Sequence, residues 1–168
     1  HPPQDVKPGN ILVSGAGTVK LTDFGISAIR EASGTSQLAY SIHYTAPEIF
    51  GGTSDPDAEL IIDPRDERSD LYSLAASLYT LGVGRPPFQA PTHVALMRQI
   101  LLDPVPPTGI PALDGFFTRA LAKEPPERPL TAADLTADLL QLRHAVAHLG
   151  ASTGPWPSGP TLGGHDAT

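Results

Sequence analysis

Several features that would point to a function at once are missing from this 168-residue chain, beginning with cysteine. Without cysteine, disulfide bonds and thiolate metal sites are excluded. The chain has no clustered basic run, and its formal net charge of -7 at pH 7 disfavours binding to nucleic-acid phosphates. No apolar run approaches the roughly 18 residues that a membrane-spanning helix requires, and no signal peptide is visible. With 40% hydrophobic and 17% charged residues, the composition is typical of a folded, soluble domain.

Two short β-rich runs near the start predict a small hairpin. Residues 11–13 and 19–22 are rich in apolar and β-branched side chains, and a Ser-Gly-Ala-Gly sequence lies between them. Glycine readily adopts the positive φ that a tight turn requires. The predicted hairpin would hold Asn10 at its entrance and Asp23 at its exit, so that the two side chains emerge next to each other.

The rest of the chain is predicted to be mainly helical. Residues 70–81 carry apolar side chains on nearly every face, which is typical of a helix buried on all sides, and Gly82 and Gly84 are expected to end it. Residues 93–102 and 113–122 show helix-compatible apolar spacing. A last helix follows a sequence at 131–134 that resembles a capping box. Its apolar residues recur at three- and four-residue intervals: Leu135, Leu139, Leu142, Val146 and Leu149.

The segments at 26–43 and 51–69 are predicted to be surface loops, since they are rich in small, polar and turn-forming residues. Residues 150–168 are dominated by Gly, Pro, Ser and Thr, which predicts a disordered tail or a linker. Trp156, the single tryptophan, has no apolar neighbours to pack against in that segment.

Two polar segments carry the candidate chemistry. The first reads Asp5-Val6-Lys7-Pro8-Gly9-Asn10, and the second is Asp23-Phe24-Gly25. Together they supply two carboxylates, an ammonium group and a carboxamide, which are the groups that align a hydroxyl, a triphosphate and magnesium for phosphoryl transfer. Taken alone, an Asp and an Asn flanking Pro-Gly are more typical of a simple turn. The Asp-Phe-Gly sequence downstream favours the catalytic interpretation.

Five motifs in this order resemble those of the eukaryotic-type serine/threonine protein kinases found in bacteria. Besides the two polar segments, they are the sequences at 44–48 (Tyr-Thr-Ala-Pro-Glu), 70–74 (Asp-Leu-Tyr-Ser-Leu) and 127–129 (Glu-Arg-Pro). The resemblance covers residues 3–149. It implies a mainly α fold with a small β-hairpin, namely the C-terminal (large) lobe of the protein-kinase-like α+β fold, with the N-terminal lobe absent. Residues 1–149 would be this lobe, truncated at the catalytic loop, and residues 150–168 the tail or linker.

The resemblance also implies roles for the polar residues. Asp5 would be the catalytic aspartate that orients the acceptor hydroxyl. Lys7 would contact the γ-phosphate, as in kinases that act on serine or threonine. Asn10 and Asp23 would hold magnesium or manganese and help to bind ATP, since their oxygen atoms suit a hard cation. The cofactors implied are therefore ATP and Mg²⁺ or Mn²⁺.

Further residues are implied in the activation segment and in structural roles. Ser41 lies where relatives have a threonine that bridges the catalytic Asp and Lys, although an exposed loop serine without a role is also consistent with the sequence. Thr45 belongs to the same segment. Glu48 and Arg128 would form a buried ion pair. Asp70 would hydrogen-bond the backbone of the catalytic loop, and a helix N-cap at residue 69 or 70 is compatible with that.

The chain departs from the kinase pattern at two points. Pro3-Gln4 stands where the family has His-Arg, which argues against control through an arginine–phosphate pair. Either a sequence junction or frameshift near the start of the chain or true divergence explains this departure. The Gly-rich loop, the strand lysine and the helix glutamate of the small lobe are not in the chain. We therefore expect the chain alone to bind ATP poorly and to transfer phosphate negligibly.

The function predicted from the resemblance is transfer of the ATP γ-phosphoryl group to a Ser or Thr hydroxyl of a protein, in signal transduction, with a homodimer for autophosphorylation. The alternative is a pseudokinase or protein-interaction module without catalysis, which Pro3-Gln4 favours and the retained polar residues oppose. A small-molecule kinase is disfavoured by the sequence at 46–48, which helps to shape the peptide-binding platform in relatives. The expected location is cytoplasmic, with the parent protein anchored to a membrane through a segment outside this chain.

Overall fold

A computed structural model describes residues 6–22, 42–50 and 67–150, with side chains up to residue 147. In these residues two strands are followed by four α-helices. The strands are β1 (Ile11–Val13) and β2 (Val19–Leu21), and the helices are α1 (Glu67–Val83), α2 (His93–Leu102), α3 (Pro111–Ala120) and α4 (Ala132–Gly150). Short 3₁₀ turns lie at Pro8–Asn10, Pro47–Phe50 and Pro125–Glu127. The expectation of a mainly helical chain with a small hairpin is confirmed.

The hairpin has the predicted position and is antiparallel. Ile11 lies opposite Leu21 at its open end. At the closed end the Ser14 N–H donates to the Thr18 carbonyl at 2.9 Å, which leaves residues 15–17 as the loop. Gly17 has a φ of 79°, the left-handed conformation that a three-residue hairpin loop commonly requires and that glycine adopts without steric cost.

Helix α1 is the central helix and is buried over most of its surface. Its apolar side chains with at most 4% exposure are Leu71, Tyr72, Ala75, Ala76 and Tyr79. The predicted helix over 70–81 is confirmed, but it is not buried on all sides, since Leu81 is 60% exposed, and it already includes residues 67–69, which were predicted to belong to a loop. Gly82 lies inside the helix rather than at its end. Gly84 ends it, because this residue has a φ of 81° and donates its N–H to the Thr80 carbonyl at 2.8 Å.

The main core lies where α3 and α4 pack against α1. Phe117 of α3 meets Tyr79 of α1 edge to face, with ring centroids 5.0 Å apart. From α4, Leu135 is almost fully buried in this core, and Leu139 and Leu142 pack against it. The predicted apolar stripe of the last helix is confirmed at these three positions. None of the helices in the described ranges is long and apolar enough to cross a membrane.

The helix starts follow local sequence signals. At α4 the Asp134 N–H donates to the Thr131 hydroxyl oxygen at 3.2 Å, and the Thr131 N–H donates to the Asp134 carboxylate at 3.0 Å. This reciprocal pair confirms the predicted capping box. Helix α2 has the predicted bounds. Helix α3 begins and ends two residues earlier than the predicted 113–122. Pro111 occupies its first turn, where a missing N–H costs no hydrogen bond.

A second, smaller core joins residues 42–50 to α2. Phe88, Leu96 and Ile100 are buried together, and Ile42 and Phe50 pack against them. Since Phe88 belongs to the connection between α1 and α2, this core attaches three separate parts of the chain to one another.

Lys123 links the second core to the main one. Its ammonium group donates to the Ile100 carbonyl at 2.6 Å and lies 4.1 Å from the centroid of the Phe88 ring. Its own backbone carbonyl accepts a hydrogen bond from Arg128 at 2.8 Å. Burial lowers the pKa of Lys123 to about 8.

Glu48 and Arg128 form a buried ion pair between residues 42–50 and the turn that precedes α4. The two terminal nitrogens of Arg128 donate to the two carboxylate oxygens at 2.8 and 2.7 Å, and the side chains are 0% and 2% exposed. The Ser69 hydroxyl donates to the same carboxylate at 2.6 Å. Burial alone would raise the pKa of Glu48, but the hydrogen bond and charge of Arg128 outweigh it and hold this pKa below its usual value.

Every N–H group of the Arg128 side chain has an acceptor. A guanidinium group has five such donors. Two contact the carboxylate, and the others donate to the backbone carbonyls of Arg68, Ala122 and Lys123 at 3.2, 2.8 and 2.8 Å. The guanidinium also lies 4.9 Å from the centre of the Tyr72 ring. Arg128 therefore ties α1, the segment between α3 and α4, and residues 42–50 together.

We expect Arg128→Met to destabilise the chain by about 3–5 kcal/mol, because the Glu48 carboxylate would remain buried without its partner. The matched control is Arg119→Met, which breaks a pair with Asp138 in which the arginine is 52% exposed, and this should cost about 1 kcal/mol or less. Urea unfolding of the parent and both variants measures the difference. Equal losses in the two variants would contradict the structural role given to Arg128.

The two buried tyrosines of α1 provide a second test. The Tyr79 hydroxyl donates to the Pro106 carbonyl at 3.1 Å, whereas the Tyr72 hydroxyl has no partner within the described ranges. A buried hydroxyl without a partner is unfavourable. Tyr72→Phe should therefore leave the free energy of unfolding unchanged or raise it by about 1 kcal/mol, while Tyr79→Phe should lower it by about 1 kcal/mol. If urea unfolding shows that Tyr72→Phe lowers the free energy of unfolding more than Tyr79→Phe does, the Tyr72 hydroxyl has a partner.

Candidate functional site

Two of the predicted site residues, Lys7 and Asn10, lie on the segment that leads into the hairpin. Lys7 has an extended backbone and is half-buried, and Asn10 ends the 3₁₀ turn with only 5% exposure. The Asn10 N–H closes this turn by donating to the Lys7 carbonyl at 2.9 Å. The Pro-Gly-Asn sequence thus does form a turn. That turn holds the Asn10 carboxamide in a buried position next to the open end of the hairpin.

Helix α1 contacts the same segment through a hydrogen bond. Val6 is buried, and its carbonyl accepts a hydrogen bond from the Ser77 hydroxyl at 3.4 Å. The single proton of this hydroxyl is shared with the Ser73 carbonyl one turn earlier, which lies nearer, at 2.8 Å. Sequence reasoning missed Ser77. The signal that could have found it is a fully buried serine in an otherwise apolar helix, since a buried hydroxyl needs a partner.

The open end of the hairpin brings Asn10 and Thr22 together. Thr22 donates its backbone N–H to the Asn10 carbonyl at 2.9 Å, and its hydroxyl donates to the same oxygen at 3.3 Å. Thr22 is the residue immediately before Asp23 in the sequence. The hairpin therefore places Thr22 next to Asn10, and the position of Asp23 relative to Asn10 stays a prediction.

Three predicted site residues, Asp5, Asp23 and Ser41, lie outside the described residues, and their roles stay predictions. Within the described ranges there is no group of three or more His, Cys, Asp or Glu side chains that could hold a metal ion. Both carboxylates of the predicted site belong to the residues outside those ranges.

Residues 42–50, which include the predicted residue Thr45, are fixed to the helices by contacts on both sides. Thr45 is half-buried, and its N–H donates to the Ile42 carbonyl at 3.1 Å. His43 Nδ1 donates to the Phe88 carbonyl at 3.0 Å, since a carbonyl can only accept. Sequence reasoning missed His43 because its partner is far away in the chain. At the other end, Glu48 is held by Arg128.

Asp70 lies in the first turn of α1. Because α1 already includes Glu67, neither Ser69 nor Asp70 is its N-cap, and the N-cap prediction is wrong. Ser69 instead uses its hydroxyl to bind Glu48. Burial, followed by the charge of Glu67, raises the pKa of Asp70 to about 6. The predicted hydrogen bond from Asp70 to the catalytic loop involves residues outside the described ranges and stays a prediction.

We expect the stability contributed by Asp70 to decrease as the pH rises. Its folded-state pKa of about 6 lies above its ordinary value of 3.8, so the folded chain binds an extra proton between about pH 4 and 6. This contribution is complete below about pH 4 and is lost as the pH passes 6. Asp70→Asn cannot ionise, so its thermal midpoint should rise relative to that of the parent between pH 4 and 7.

Asp114→Asn is the control for this measurement. Hydrogen bonds from Thr108 lower the pKa of Asp114, so the opposite sign is expected. The stability contributed by this carboxylate is present at neutral pH and is lost in acid. The thermal midpoint of Asp114→Asn should therefore decrease relative to that of the parent as the pH rises. A difference between Asp70→Asn and the parent that does not vary with pH would contradict the raised pKa of Asp70.

Comparison with known proteins shows the family to which the chain is related. Residues 4–144 match the protein kinase domain family. The serine/threonine-protein kinase PknB of Mycobacterium leprae is 39% identical over 149 residues, which cover 83% of this chain and 22% of the relative. PknB of Mycobacterium tuberculosis is 37% identical over 152 residues, covering 84% of this chain and 23% of the relative. A probable serine/threonine-protein kinase PknB of Corynebacterium glutamicum is 34% identical over 161 residues, covering 86% and 23%.

The chain thus spans less than a quarter of the length of these relatives. The family match nevertheless includes the hairpin, the buried ion pair and the helices that form both cores. Because the match extends over most of its residues, the chain belongs to the protein kinase domain family.

Proposed function

We propose that the chain is the C-terminal (large) lobe of a serine/threonine protein kinase domain. Joined to a small lobe, it would transfer the γ-phosphoryl group of ATP to a Ser or Thr hydroxyl of a protein. The observation that carries this proposal is the hairpin register, which pairs Asn10 with Thr22 immediately before Asp23. Two oxygen donors that are 13 positions apart in sequence are thereby expected at one metal ion. The relatives named as serine/threonine kinases support the choice of acceptor.

The chemistry of the described donor fits the implied cofactor. Asn10 offers a carboxamide oxygen, the kind of hard ligand that Mg²⁺ prefers. Bound Mg-ATP supplies the phosphoryl group and neutralises part of its charge. Asn10 and Asp23 would hold the metal ion, and the Lys7 ammonium group would contact the γ-phosphate. Asp5 would orient the acceptor hydroxyl and accept its proton, while Ser41 would bridge Asp5 and Lys7.

Phosphoryl transfer requires mainly that these groups be held in place. Two contacts support this requirement. The Ser77 hydroxyl binds the Val6 carbonyl, directly between Asp5 and Lys7 in sequence, and Thr22 binds the Asn10 carbonyl. The first polar segment is therefore anchored both to a buried helix and to the hairpin, and the second polar segment follows directly after Thr22 in sequence.

A protein is the favoured substrate because residues 42–50 form a fixed surface rather than a free loop. His43 holds one end of this segment to the Phe88 carbonyl, and Glu48 holds the other end to Arg128. A segment fixed at both ends can present a constant surface to an extended polypeptide. Thr45 lies between these two attachments and would belong to that surface.

A second candidate function is binding without catalysis. Pro3-Gln4 replaces the His-Arg that precedes the catalytic aspartate in the family, which favours a pseudokinase or interaction module. The buried Asn10 and the half-buried Lys7 favour the enzyme, since a pure binding module does not need these groups at this position.

The cellular setting follows from the proposed activity. ATP and magnesium place the reaction on the cytoplasmic side, and signalling through phosphorylation requires a protein that receives the phosphate. A homodimer that phosphorylates itself and attachment of the parent protein to a membrane outside this chain belong to the same proposal.

The test joins the small lobe of a serine/threonine protein kinase to the start of this chain. We expect the 168-residue chain alone to show negligible Mg-ATP-dependent phosphorylation and the fusion to phosphorylate itself or a general protein substrate. In the fusion, Asp5→Asn should lower the rate by about 10²-fold or more, because the acceptor hydroxyl loses its proton acceptor. Incorporation of labelled phosphate measures the rates.

Matched variants separate the site from general damage to the fold. Lys7→Met should abolish most of the activity, whereas Lys20→Met, at an exposed position on β2, should leave it unchanged. A fusion that folds and binds Mg-ATP without transferring phosphate would favour the pseudokinase alternative. Robust turnover by the unfused chain would contradict the need for a small lobe.

A further inference from the structure

An open groove between α3 and α4 lies outside the proposed catalytic site. It has a volume of about 360 Å³, and its floor includes Ala112, Phe116, Leu142 and Ala145. Neither helix carries a predicted site residue. The groove is therefore an apolar surface that the proposed kinase chemistry does not use.

Gly115 keeps this groove open. It lies in the interior of α3, where glycine lowers helix stability relative to alanine. A Cβ atom at this position would meet nothing within 4 Å, so close packing does not explain the glycine. Its φ is not in the left-handed region either. Because Gly115 has no side chain, the groove between the two helices stays open.

The rim of the groove is polar and carries charge. Arg119 donates to both carboxylate oxygens of Asp138 at 2.8 and 2.6 Å, and Gln141 lies exposed one turn further along α4. An apolar floor with a guanidinium group and amide and carboxylate oxygens at the edge suits an indole ring. The ring can pack on the floor and beside the cation while its N–H donates to an oxygen.

We propose that the occupant of this groove is Trp156, from the segment at 151–168 of the same chain. It is the single tryptophan of the protein, and the segment around it contains only prolines, two alanines and one leucine as apolar residues, too few to bury an indole. Burial of an indole is strongly favourable when a matching surface is within reach. The segment would then fold back on α4. This differs from the sequence-based prediction of a disordered tail or a linker that leads away from the helix.

The length of the connection allows this contact. The segment follows directly from the end of α4 at Gly150, which lies about 8 Å along the helix axis from Ala145 and about 12 Å from Leu142. The six residues at 151–156 span up to about 20 Å when extended. Trp156 can therefore turn back to the groove floor. Because it is tethered so closely, its effective concentration at the groove is in the millimolar range.

The fluorescence of Trp156 in the full chain tests the proposal directly, because no other tryptophan contributes. We expect an emission maximum shifted to the blue of the urea-unfolded chain and of a peptide with the sequence 151–168, together with slower quenching by acrylamide. An emission maximum and quenching rate equal to those of the peptide would overturn the proposal.

Two matched substitutions distinguish the groove from other apolar surfaces. Gly115→Leu should fill the groove, improve the helix and move the emission of Trp156 to that of the free peptide. Gly82→Leu is the control, since Gly82 is also a helical, exposed glycine with open space around it but lies on α1. It should leave the emission unchanged. Equal effects of the two substitutions would overturn the assignment to this groove.

Dilution identifies whose tryptophan is bound. A blue shift that persists unchanged across a hundredfold dilution supports docking within one chain, because a tethered contact does not depend on concentration. A blue shift that disappears on dilution, together with a dimer in sedimentation, would overturn docking within the chain and assign the groove to the tryptophan of a second copy.

Discussion

The buried pair of Glu48 and Arg128 is the contact on which the rest of the described structure depends. The arginine uses all five of its side-chain N–H groups, and three of them bind backbone carbonyls, one from α1 and two from the segment between α3 and α4. A charge placed in the interior is tolerated only when such partners are complete. The pair thereby holds residues 42–50 on the helical core and determines where the surface next to the candidate site can lie.

Helix α1 connects this pair to the candidate site. Near its start, Ser69 binds Glu48, and two turns later Ser77 binds the Val6 carbonyl in the segment of Lys7 and Asn10. One buried helix therefore positions both the proposed phosphate-binding segment and the proposed substrate surface. Lys123 extends the same network to α2 through the Ile100 carbonyl, so that contacts join the two cores.

Much of the fold could be predicted because its signals are local. The hairpin needs only two short β-rich runs and a glycine with positive φ, and α4 begins where Thr131 and Asp134 cap each other. The same local reasoning was wrong at the start of α1, where Ser69 resembles a capping residue but binds a carboxylate distant in sequence. His43 and Ser77 were missed for the same reason, since each binds a backbone carbonyl more than 40 residues away.

By itself, the sequence determined the order of the helices, the position of the hairpin and the kinase-like spacing of the polar residues, because these depend on neighbouring side chains and on backbone preferences. Only the tertiary structure decided which polar groups are buried and which carbonyls they bind. It also decided the altered pKa values of Asp70 and Lys123, and it left a groove open at Gly115. These properties depend on desolvation and on contacts between distant segments, which exist only after the helices have packed together.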